Sequence, residues 1–242
     1  FDGEVTVHTL GEDAAVQPAL STGDTGAVAA LAVAVRSTGA AAADEVTLQV
    51  EGEPEPLLPK ADEEEAGDII LAAGTTSGRI VLWNMRTPSE PQQMCTIGGS
   101  RKQRAAGHSD VVRALAWVKV DGALKLVSGS FDKKIIVWDL RGNELELDRQ
   151  LVDGSDGVAH SGAVTVLEAV TIRGVDMVAS GGEDGAVKIW SLTDAAPVLQ
   201  TVHERGICSL AWLPEPQQDA AVGWLACGLG DGTIAIADLD AL

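Results

Sequence analysis

The stretch that decides the fold is "LVSGSFDKKIIVWDL" (residues 126–140), in which two apolar runs flank a short polar turn around Asp132 and the second run closes on Trp138. Apolar runs of this length on both sides of a turn predict paired β-strands. The stretch recurs along the chain, which indicates that the molecule is built from a repeated unit. Its other copies are "ILAAGTTSGRIVLWNM" (70–85), "MVASGGEDGAVKIWSL" (177–192), "WLACGLGDGTIAIADL" (224–239) and, in part, "FDGEVTVHTL" (1–10).

A second phrase precedes the four full copies and in three of its versions carries a histidine. The versions are "GDTGAVAALAVA" (23–34), "GHSDVVRALAWV" (107–118), "AHSGAVTVLEAV" (159–170) and "VHERGICSLAWL" (202–213). Two units share the same spacing, with Ser 20 residues after His, Asp 4 after Ser and Trp 6 after Asp. Those residues are His108, Ser128, Asp132, Trp138, His160, Ser180, Asp184 and Trp190. A spacing kept in two units indicates a structural repeat and not a bias of composition.

Each unit holds three apolar runs of strand length and a weaker fourth, such as "PVLQTV" (197–202). The runs are nearly apolar throughout instead of alternating, which is typical of sheets that are covered on both faces. Four-stranded units that stack face to face predict an all-β fold, a β-propeller. The last unit lacks its outer run and has Ala237 where the other units have Trp.

Gly107-His108 at the start of one unit and Trp138-Asp139 at its end resemble the signature of the WD-repeat (WD40) family. The resemblance implies a single domain over residues 1–242, a WD40-like β-propeller of four-stranded antiparallel blades with four nearly complete blades and part of a fifth. Propellers of this family most often have seven blades, so we expect the chain to be a fragment of a seven-bladed propeller. We expect the repeats at about 1–22 (partial), 23–97, 107–151, 159–202 and 203–239.

Residues 39–66 interrupt the first full unit between its first and second strands. They contain nine Asp or Glu against one Lys, together with three Pro, and this composition predicts a solvated acidic loop insertion. The whole chain has a formal net charge of -19. We therefore expect no nucleic-acid partner, because binding to phosphates needs clustered Lys and Arg.

The sequence also argues against a membrane span and against a bound cofactor. No uninterrupted apolar stretch reaches the ~18 residues that a membrane-spanning helix needs. Cys95, Cys208 and Cys227 are an odd number without C-x-x-C spacing, which favours free buried thiols in a reducing compartment over a disulfide or metal site. We expect the protein to be cytoplasmic and/or nuclear. The stretch "GLGDG" (228–232) aligns with turns of the other units and precedes no helix, so we expect no nucleotide there.

A Ser, a His and an Asp that recur together raise the hypothesis of a hydrolase triad. The same set occurs twice, whereas an enzyme needs one copy, so we expect no catalytic activity. In the WD-repeat family these residues and the Trp form a hydrogen-bonded network inside a blade, and the resemblance implies the same structural role here. The chemistry agrees with that role, because a buried Trp N–H, a Ser hydroxyl and an Asp each need a partner.

The resemblance also predicts where partners bind. Contacts on the top face of the family's propellers usually come from residues beside the network Asp and just after the network His. In this chain those positions are Phe131, Glu183, Asp110 and Arg205. For Phe131 two interpretations stay open, because a large apolar side chain in a turn either packs over the blade or is offered to a partner.

A second predicted surface lies at the end of the quoted stretch, where Trp-Asp-Leu-Arg occupies residues 138–141. This ending is similar to a box with which some WD-repeat proteins dock onto the adaptor of a cullin-RING ubiquitin ligase, with the Arg exposed on the bottom face. Residues 83–86, Trp-Asn-Met-Arg, form an imperfect second copy. The resemblance therefore implies Arg141 and Arg86 as docking residues, and the alternative is that each is an ordinary exposed Arg.

The leading functional hypothesis is a noncatalytic scaffold or adaptor within a multiprotein complex, whose partners are other proteins or peptides. Rigid blades with variable loops separate stability from recognition. One alternative is a substrate receptor of a cullin-RING ligase that docks through the W-D-x-R ending. Another is the regulatory propeller of a larger enzyme.

Overall fold

The computed structural model describes residues 4–5, 20–21, 27–36, 67–87, 90–98, 107–154, 156–214 and 223–238. These residues form 17 β-strands, all in antiparallel sheets. They contain no helix of the length and apolar character that would cross a membrane. The predicted acidic insertion at residues 39–66 lies outside the described part of the chain.

The strands fall into a short ladder and four larger sheets, which we call blades 1 to 4. The ladder consists of β1 (Glu4–Val5) and β2 (Leu20–Ser21). Blade 1 consists of β3 (Val28–Arg36), β4 (Asp68–Thr75), β5 (Ile80–Asn84) and β6 (Gln92–Ile97). Blade 2 consists of β7 (Val112–Val120), β8 (Ala123–Ser130), β9 (Ile135–Arg141) and β10 (Glu144–Leu151). Blade 3 consists of β11 (Val164–Ile172), β12 (Val175–Gly182), β13 (Ala186–Ser191) and β14 (Pro197–Val202). Blade 4 consists of β15 (Ile207–Pro214), β16 (Gly223–Leu229) and β17 (Ile234–Asp238).

Within each blade the strands pair in chain order. The first strands of the blades, β3, β7, β11 and β15, contact one another in that order, so the blades stack side by side with these strands innermost. Blade 4 has three strands among the described residues, in agreement with the outer run that its sequence lacks. The predicted all-β propeller of four-stranded antiparallel blades is confirmed.

The apolar core lies between neighbouring blades. Trp138 is 1% exposed and packs with Leu82 in the cluster that joins blades 1 and 2. Trp190 is fully buried and packs with Val137 in the cluster that joins blades 2 and 3. Each of these two Trp side chains therefore faces the preceding blade. Full burial of a large apolar side chain stabilises a fold by at least about 1.5–3 kcal/mol.

A glycine in the second strand lets each blade approach the next one closely. A Cβ atom at Gly129 would lie only 2.6 Å from Cγ1 of Val164 in the following blade. The equivalent glycines of blades 1 and 3 are Gly74 and Gly181. A Cβ there would lie 2.6 Å from Cγ1 of Val112 and 2.5 Å from Cγ2 of Ile207, respectively. Any side chain there would push the inner strand of the next blade outward, which explains the Gly in the middle of each repeated phrase.

The third strands show where the stack ends. Ile135 and Val137 of β9 are fully buried, as the nearly apolar runs predict for strands covered on both faces. The residues at the same positions in β17 are Ile234 and Ile236, and they are 74% and 66% exposed. The prediction of two covered faces is wrong for β17, because no described sheet packs on the outer side of blade 4.

Two faces of the stack carry the connections. We call top face the one with the turns between second and third strands, such as 131–134, and the loops that lead into the inner strands, such as 107–111. The bottom face carries the hairpins between first and second strands, such as 121–122, and the turns between third and fourth strands, such as 142–143. The two kinds of predicted surface residue therefore lie at opposite ends of the strands.

Candidate functional site

Blade 2 contains a hydrogen-bonded chain that runs from its third strand to its entry loop. Nε1 of Trp138 donates to Oγ of Ser128 over 2.8 Å, and Nε2 of His108 lies 2.8 Å from the same oxygen. Nδ1 of His108 lies 3.1 Å from both carboxylate oxygens of Asp132. A carboxylate can only accept, so Nδ1 carries a hydrogen and donates to Asp132.

Blade 3 repeats this arrangement with its own residues. Nε1 of Trp190 donates to Oγ of Ser180 over 2.7 Å, and Nε2 of His160 lies 2.7 Å from that oxygen. Nδ1 of His160 lies 3.0 and 3.2 Å from the oxygens of Asp184. The structure thus brings together all eight residues that the repeated spacing singled out, four in each blade.

The aspartates anchor the top-face loops through backbone groups. Asp132 accepts from the N–H of Ser109 over 2.9 Å and from that of Lys134 over 3.1 Å. Burial alone would raise the pKa of Asp132, but the hydrogen bond and charge of His108 and these N–H donors outweigh it and lower the pKa to about 2. The pKa of Asp184 is lowered in the same way by His160 against the effect of burial. Both carboxylates are therefore ionised at neutral pH.

The geometry of these chains does not provide a nucleophile for a substrate. Ser128 and Ser180 are 0% exposed, and each hydroxyl is held between a Trp and a His of the same blade. A hydrolytic Ser needs access to a carbonyl carbon and an oxyanion site beside it. These groups therefore stabilise the blades, because every polar atom in them has a partner within the protein.

The described residues of blades 1 and 4 do not form this hydrogen-bonded chain and make other contacts at the corresponding turns. In blade 1, Oγ1 of Thr75 lies 2.9 Å from Oγ of Ser77, which stands at the position of the aspartate. In blade 4, Asp231 accepts instead from the N–H and the hydroxyl of Thr233, over 3.0 and 2.7 Å. Cys227 stands at the Ser position of blade 4, and burial raises the pKa of its thiol.

The cysteines are free thiols, but one of them is exposed. Cys227 is buried and Cys95 is half-buried, whereas Cys208 is exposed, so the expectation of buried thiols is wrong for Cys208. Cys208 lies where the register of β15 shifts between Ile207 and Ser209, and this bulge removes its side chain from the regular alternation. Among the described residues no group of three or more His, Cys, Asp or Glu is placed to hold a metal ion.

The four predicted partner-binding residues are exposed on the top face. Phe131 is 37% exposed, and its backbone N–H donates to the carbonyl of Val111, beside Asp110. Glu183 lies across a blade junction from Arg205, because its Cα is 3.2 Å from where a Cβ on Gly206 would stand. The structure therefore groups these residues as two pairs, one within blade 2 and one between blades 3 and 4.

The top-face loops are locked to the preceding blade by backbone hydrogen bonds. The N–H groups of Ala159 and His160 both donate to the carbonyl of Lys133, over 3.0 and 3.2 Å. The N–H of His203 donates to the carbonyl of Gly185 over 2.8 Å. The exposed side chains on these loops are therefore presented by a fixed backbone.

A buried lysine that sequence reasoning missed adds to this rigidity. Nζ of Lys188 lies 2.6 Å from Oδ2 of Asp153 and donates to the carbonyl of Ala159 over 2.7 Å. The side chain of Lys188 is only 6% exposed, and its ammonium stands 5.7 Å from the ring centre of Trp190. The signal in the sequence was a Lys two residues before Trp190, where the other units have an apolar residue.

On the bottom face, Arg141 and Arg86 occupy the same position in adjacent blades, three residues beyond the buried Trp. Arg141 is 68% exposed, with Nε 3.2 Å from Oε2 of Glu146 and Nη2 3.5 Å from Oδ2 of Asp139. Arg86 is also exposed. Its backbone N–H donates to Oδ1 of Asn84 over 2.8 Å, so Asn84 stands where blade 2 has Asp139.

A family model described as "WD domain, G-beta repeat" matches two stretches of the chain, residues 99–139 and 155–191. These stretches contain the hydrogen-bonded chains of blades 2 and 3.

Three relatives align with parts of the sequence. The chain is 41% identical to General transcription factor 3C polypeptide 2 of Homo sapiens over 75 residues, which are 29% of this chain and 8% of that protein. It is 38% identical to WD repeat and SOCS box-containing protein 1 of Takifugu rubripes over 73 residues, 30% of this chain and 14% of that protein. It is 34% identical to Elongator complex protein 2 of Danio rerio over 136 residues, 52% of this chain and 15% of that protein. The chain thus spans 15% or less of the length of each of these relatives.

Proposed function

Because this chain belongs to the WD-repeat family of β-propellers, we propose that it is a noncatalytic scaffold that binds other proteins through exposed loops of its propeller. The observation that carries the proposal is that the repeated polar residues and the variable loop residues of the chain lie in different environments. The residues that repeat from blade to blade are buried and bonded to one another. The exposed residues at equivalent loop positions differ between blades, as Phe131 and Glu183 do.

This separation favours recognition of a partner over chemistry on a substrate. A binding surface needs a rigid frame and side chains that vary, and the loops here are fixed by backbone hydrogen bonds to the neighbouring blade. A catalytic site would instead need an accessible nucleophile or base. We therefore place the binding surface on the top face, around Phe131, Asp110, Glu183 and Arg205.

The test compares variants of that surface in a quantitative affinity purification. We expect Phe131→Asp and Arg205→Glu each to remove a defined set of partners that the unchanged chain retains. Val198→Asp is the matched control, because Val198 is 55% exposed but lies on the outer strand β14, away from the top-face loops. Loss of the same partners from the control, or from none of the variants, would contradict a top-face site.

The bottom face supports a second and narrower proposal, that the chain is the substrate receptor of a cullin-RING ligase. The supporting observation is Arg141, which closes the W-D-x-R ending and is 68% exposed. We expect the purified ligase adaptor to be retained by the unchanged chain and not by Arg141→Ala. Lys119→Ala, another exposed cation at the bottom end of blade 2, serves as the control. Equal recovery of the adaptor with Arg141→Ala would exclude docking through this residue.

A further inference from the structure

A cleft of about 390 Å³ opens on the bottom face beside Arg141, between blades 2 and 3. We propose that this cleft receives a partner segment that places one carboxylate next to an apolar side chain. The inference rests on the proposed docking through Arg141 and adds the chemistry of the segment that docks and the blade junction that it enters.

The charged side chains around the cleft alternate in sign. Oδ1 of Asp139 lies 2.7 Å from Nζ of Lys125, and that ammonium lies 2.7 Å from Oδ2 of Asp148. Nε of Arg149 lies 3.1 Å from the same oxygen of Asp148. Glu146 and Arg141 extend this row at its other end. The row of charged side chains is therefore Glu146, Arg141, Asp139, Lys125, Asp148 and Arg149. Alternation of this kind fixes each side chain by its neighbours.

Arg149 and Lys125 have little bonding capacity left for a partner. Nη1 of Arg149 donates to the carbonyls of Leu192 and Thr193 in blade 3, over 2.8 and 2.7 Å, and its Nε and Nη2 face Asp148. Lys125 is 13% exposed and already contacts two carboxylates. These residues therefore join the two blades and shape the cleft.

Arg141 differs because it is exposed and only partly used. A guanidinium has five N–H donors, and Glu146 and Asp139 take one on Nε and one on Nη2. The donors that remain on Nη1 and Nη2 form the end-on edge, which matches a carboxylate bidentately. The contacts with Glu146 and Asp139 orient the guanidinium at the edge of the cleft.

The walls of the cleft are partly apolar, which favours an apolar side chain next to the carboxylate of the partner segment. Leu124 and Leu140 of blade 2 are half-buried at its side, and Leu192 of blade 3 closes it from the opposite side. A small apolar side chain would cover these groups and would remove apolar surface from water. A run of acids is disfavoured, because the chain carries a net charge of -19 and repels a polyanion.

Arg141 lines the cleft, whereas Arg86 does not. In blade 1, Asn84 stands at the position of Asp139 and accepts from the backbone N–H of Arg86. The residues that line the cleft belong to blades 2 and 3, and Arg141 is one of them. The docking surface therefore extends from blade 2 toward blade 3 and not toward blade 1.

The experiment measures binding of the purified cullin-RING ligase adaptor to the 242-residue chain by biolayer interferometry. Ala123 is exposed, lines the cleft and follows the β7–β8 hairpin, so Ala123→Asp and Ala123→Trp change the cleft by charge and by volume. Val175 holds the same position in the β11–β12 hairpin of blade 3, is 53% exposed and does not line the cleft. Val175→Asp and Val175→Trp are therefore the matched controls.

We expect Arg141→Glu and both Ala123 variants to weaken binding at least tenfold, with Arg86→Glu and both Val175 variants within about twofold of the unchanged chain. If Arg141→Glu abolishes binding while the Ala123 variants bind normally, docking through Arg141 is supported, but the proposal that the partner segment enters the cleft is contradicted. If the unchanged chain does not bind the adaptor, the docking proposal fails and this inference fails with it. If Arg86→Glu weakens binding as much as Arg141→Glu does, the docking surface does not extend from blade 2 toward blade 3 as proposed.

Discussion

Ser128 shows how much a single residue decides in this molecule. Its oxygen accepts the indole N–H of Trp138 and its hydroxyl faces His108, both at 2.8 Å, so one small side chain joins the third strand to the entry loop. Ala at this position would leave the donor of Trp138 buried without a partner, which costs about 1–3 kcal/mol. The repeated residues are thus constrained by hydrogen-bonding geometry more than by size.

Replacement of the central tryptophan tests the structural role of the chain of hydrogen bonds. We expect Trp138→Ala to lower the free energy of unfolding by about 3–5 kcal/mol, because it creates a cavity between blades and leaves Ser128 without its donor. Urea denaturation followed by circular dichroism measures the loss. Trp224→Ala is the matched control and is expected to cost much less, because Trp224 is 41% exposed. Equal losses from the two variants would be inconsistent with the role assigned to Trp138.

The lowered pKa of Asp132 predicts a loss of stability in acid. Its pKa is about 2 in the folded chain and about 4 in an unfolded one, so the ionised carboxylate stabilises the fold. The contribution, about 2 kcal/mol, is complete above a pH of about 4 and is lost as the pH falls toward about 2. Asp184 contributes with the same sign, because its pKa is also lowered.

We expect Asp132→Asn to flatten the decrease of the free energy of unfolding between pH values of about 4 and 2. Urea denaturation at a series of pH values gives this slope. Asp121→Asn, which makes the same replacement at an exposed hairpin position, is the matched control. A slope that Asp132→Asn leaves unaltered would show that this carboxylate does not titrate as described.

At the scale of strands, the junctions between blades depend on pairs of residues far apart in sequence. Gly129 in β8 leaves the space that Val164 in β11 fills. Lys188 in β13 and Asp153 in the preceding connection form an ion pair that closes the same junction on the top face. Each pair couples two repeats that would otherwise touch only through general apolar packing.

The junction between β8 and β11 can be tested with a double-mutant cycle. We expect Gly129→Ala to destabilise the chain by about 1–3 kcal/mol, because its Cβ would overlap Val164. Val164→Ala alone also destabilises, through the cavity that it leaves. The double variant is expected to lose less than the sum of the two, since the shorter side chain makes room for the added methyl group. Strict additivity in urea denaturation would rule out this contact as the reason for Gly129.

For the whole molecule, the main feature is the outer side of blade 4, on which none of the described sheets packs. Ile234 and Ile236 of β17 are 74% and 66% exposed, whereas Ile135 and Val137 at the same positions of β9 are fully buried. Leu213 of β15 is also 64% exposed. An exposed apolar surface of this kind is typical of a face that packs against another part of a protein or a partner. It also means that these residues contribute little to the stability of the described stack.

A dye-binding measurement tests that exposure. We expect Ile234→Lys combined with Ile236→Lys to lower binding of a fluorescent apolar dye such as ANS while the free energy of unfolding changes by less than about 1 kcal/mol. Ile135→Lys is the comparison, because Ile135 is fully buried between blades and its replacement by a charge is expected to unfold the chain. Unfolding by the β17 variant would mean that this side of blade 4 is covered.

The amino-acid sequence by itself determined the repeat, the strands and the propeller architecture. It also gave the spacing that brings His108, Ser128, Asp132 and Trp138 together. These features can be predicted from the sequence because each depends on residues within one unit. Since the unit recurs, comparison of its copies shows which residues belong to it. The resemblance to the WD-repeat family predicted Phe131 and Arg141 as surface residues, but it left open whether Phe131 packs over its blade.

Only the tertiary structure decided what happens between units. The contact of Gly129 with Val164, the ion pair of Lys188 with Asp153 and the bonds of Arg149 to blade 3 join residues of different repeats. The exposure of β17 is of the same kind, because its apolar sequence is that of a covered strand. A repeated sequence specifies how each blade folds, whereas the contacts that a side chain makes depend on which blade packs against it.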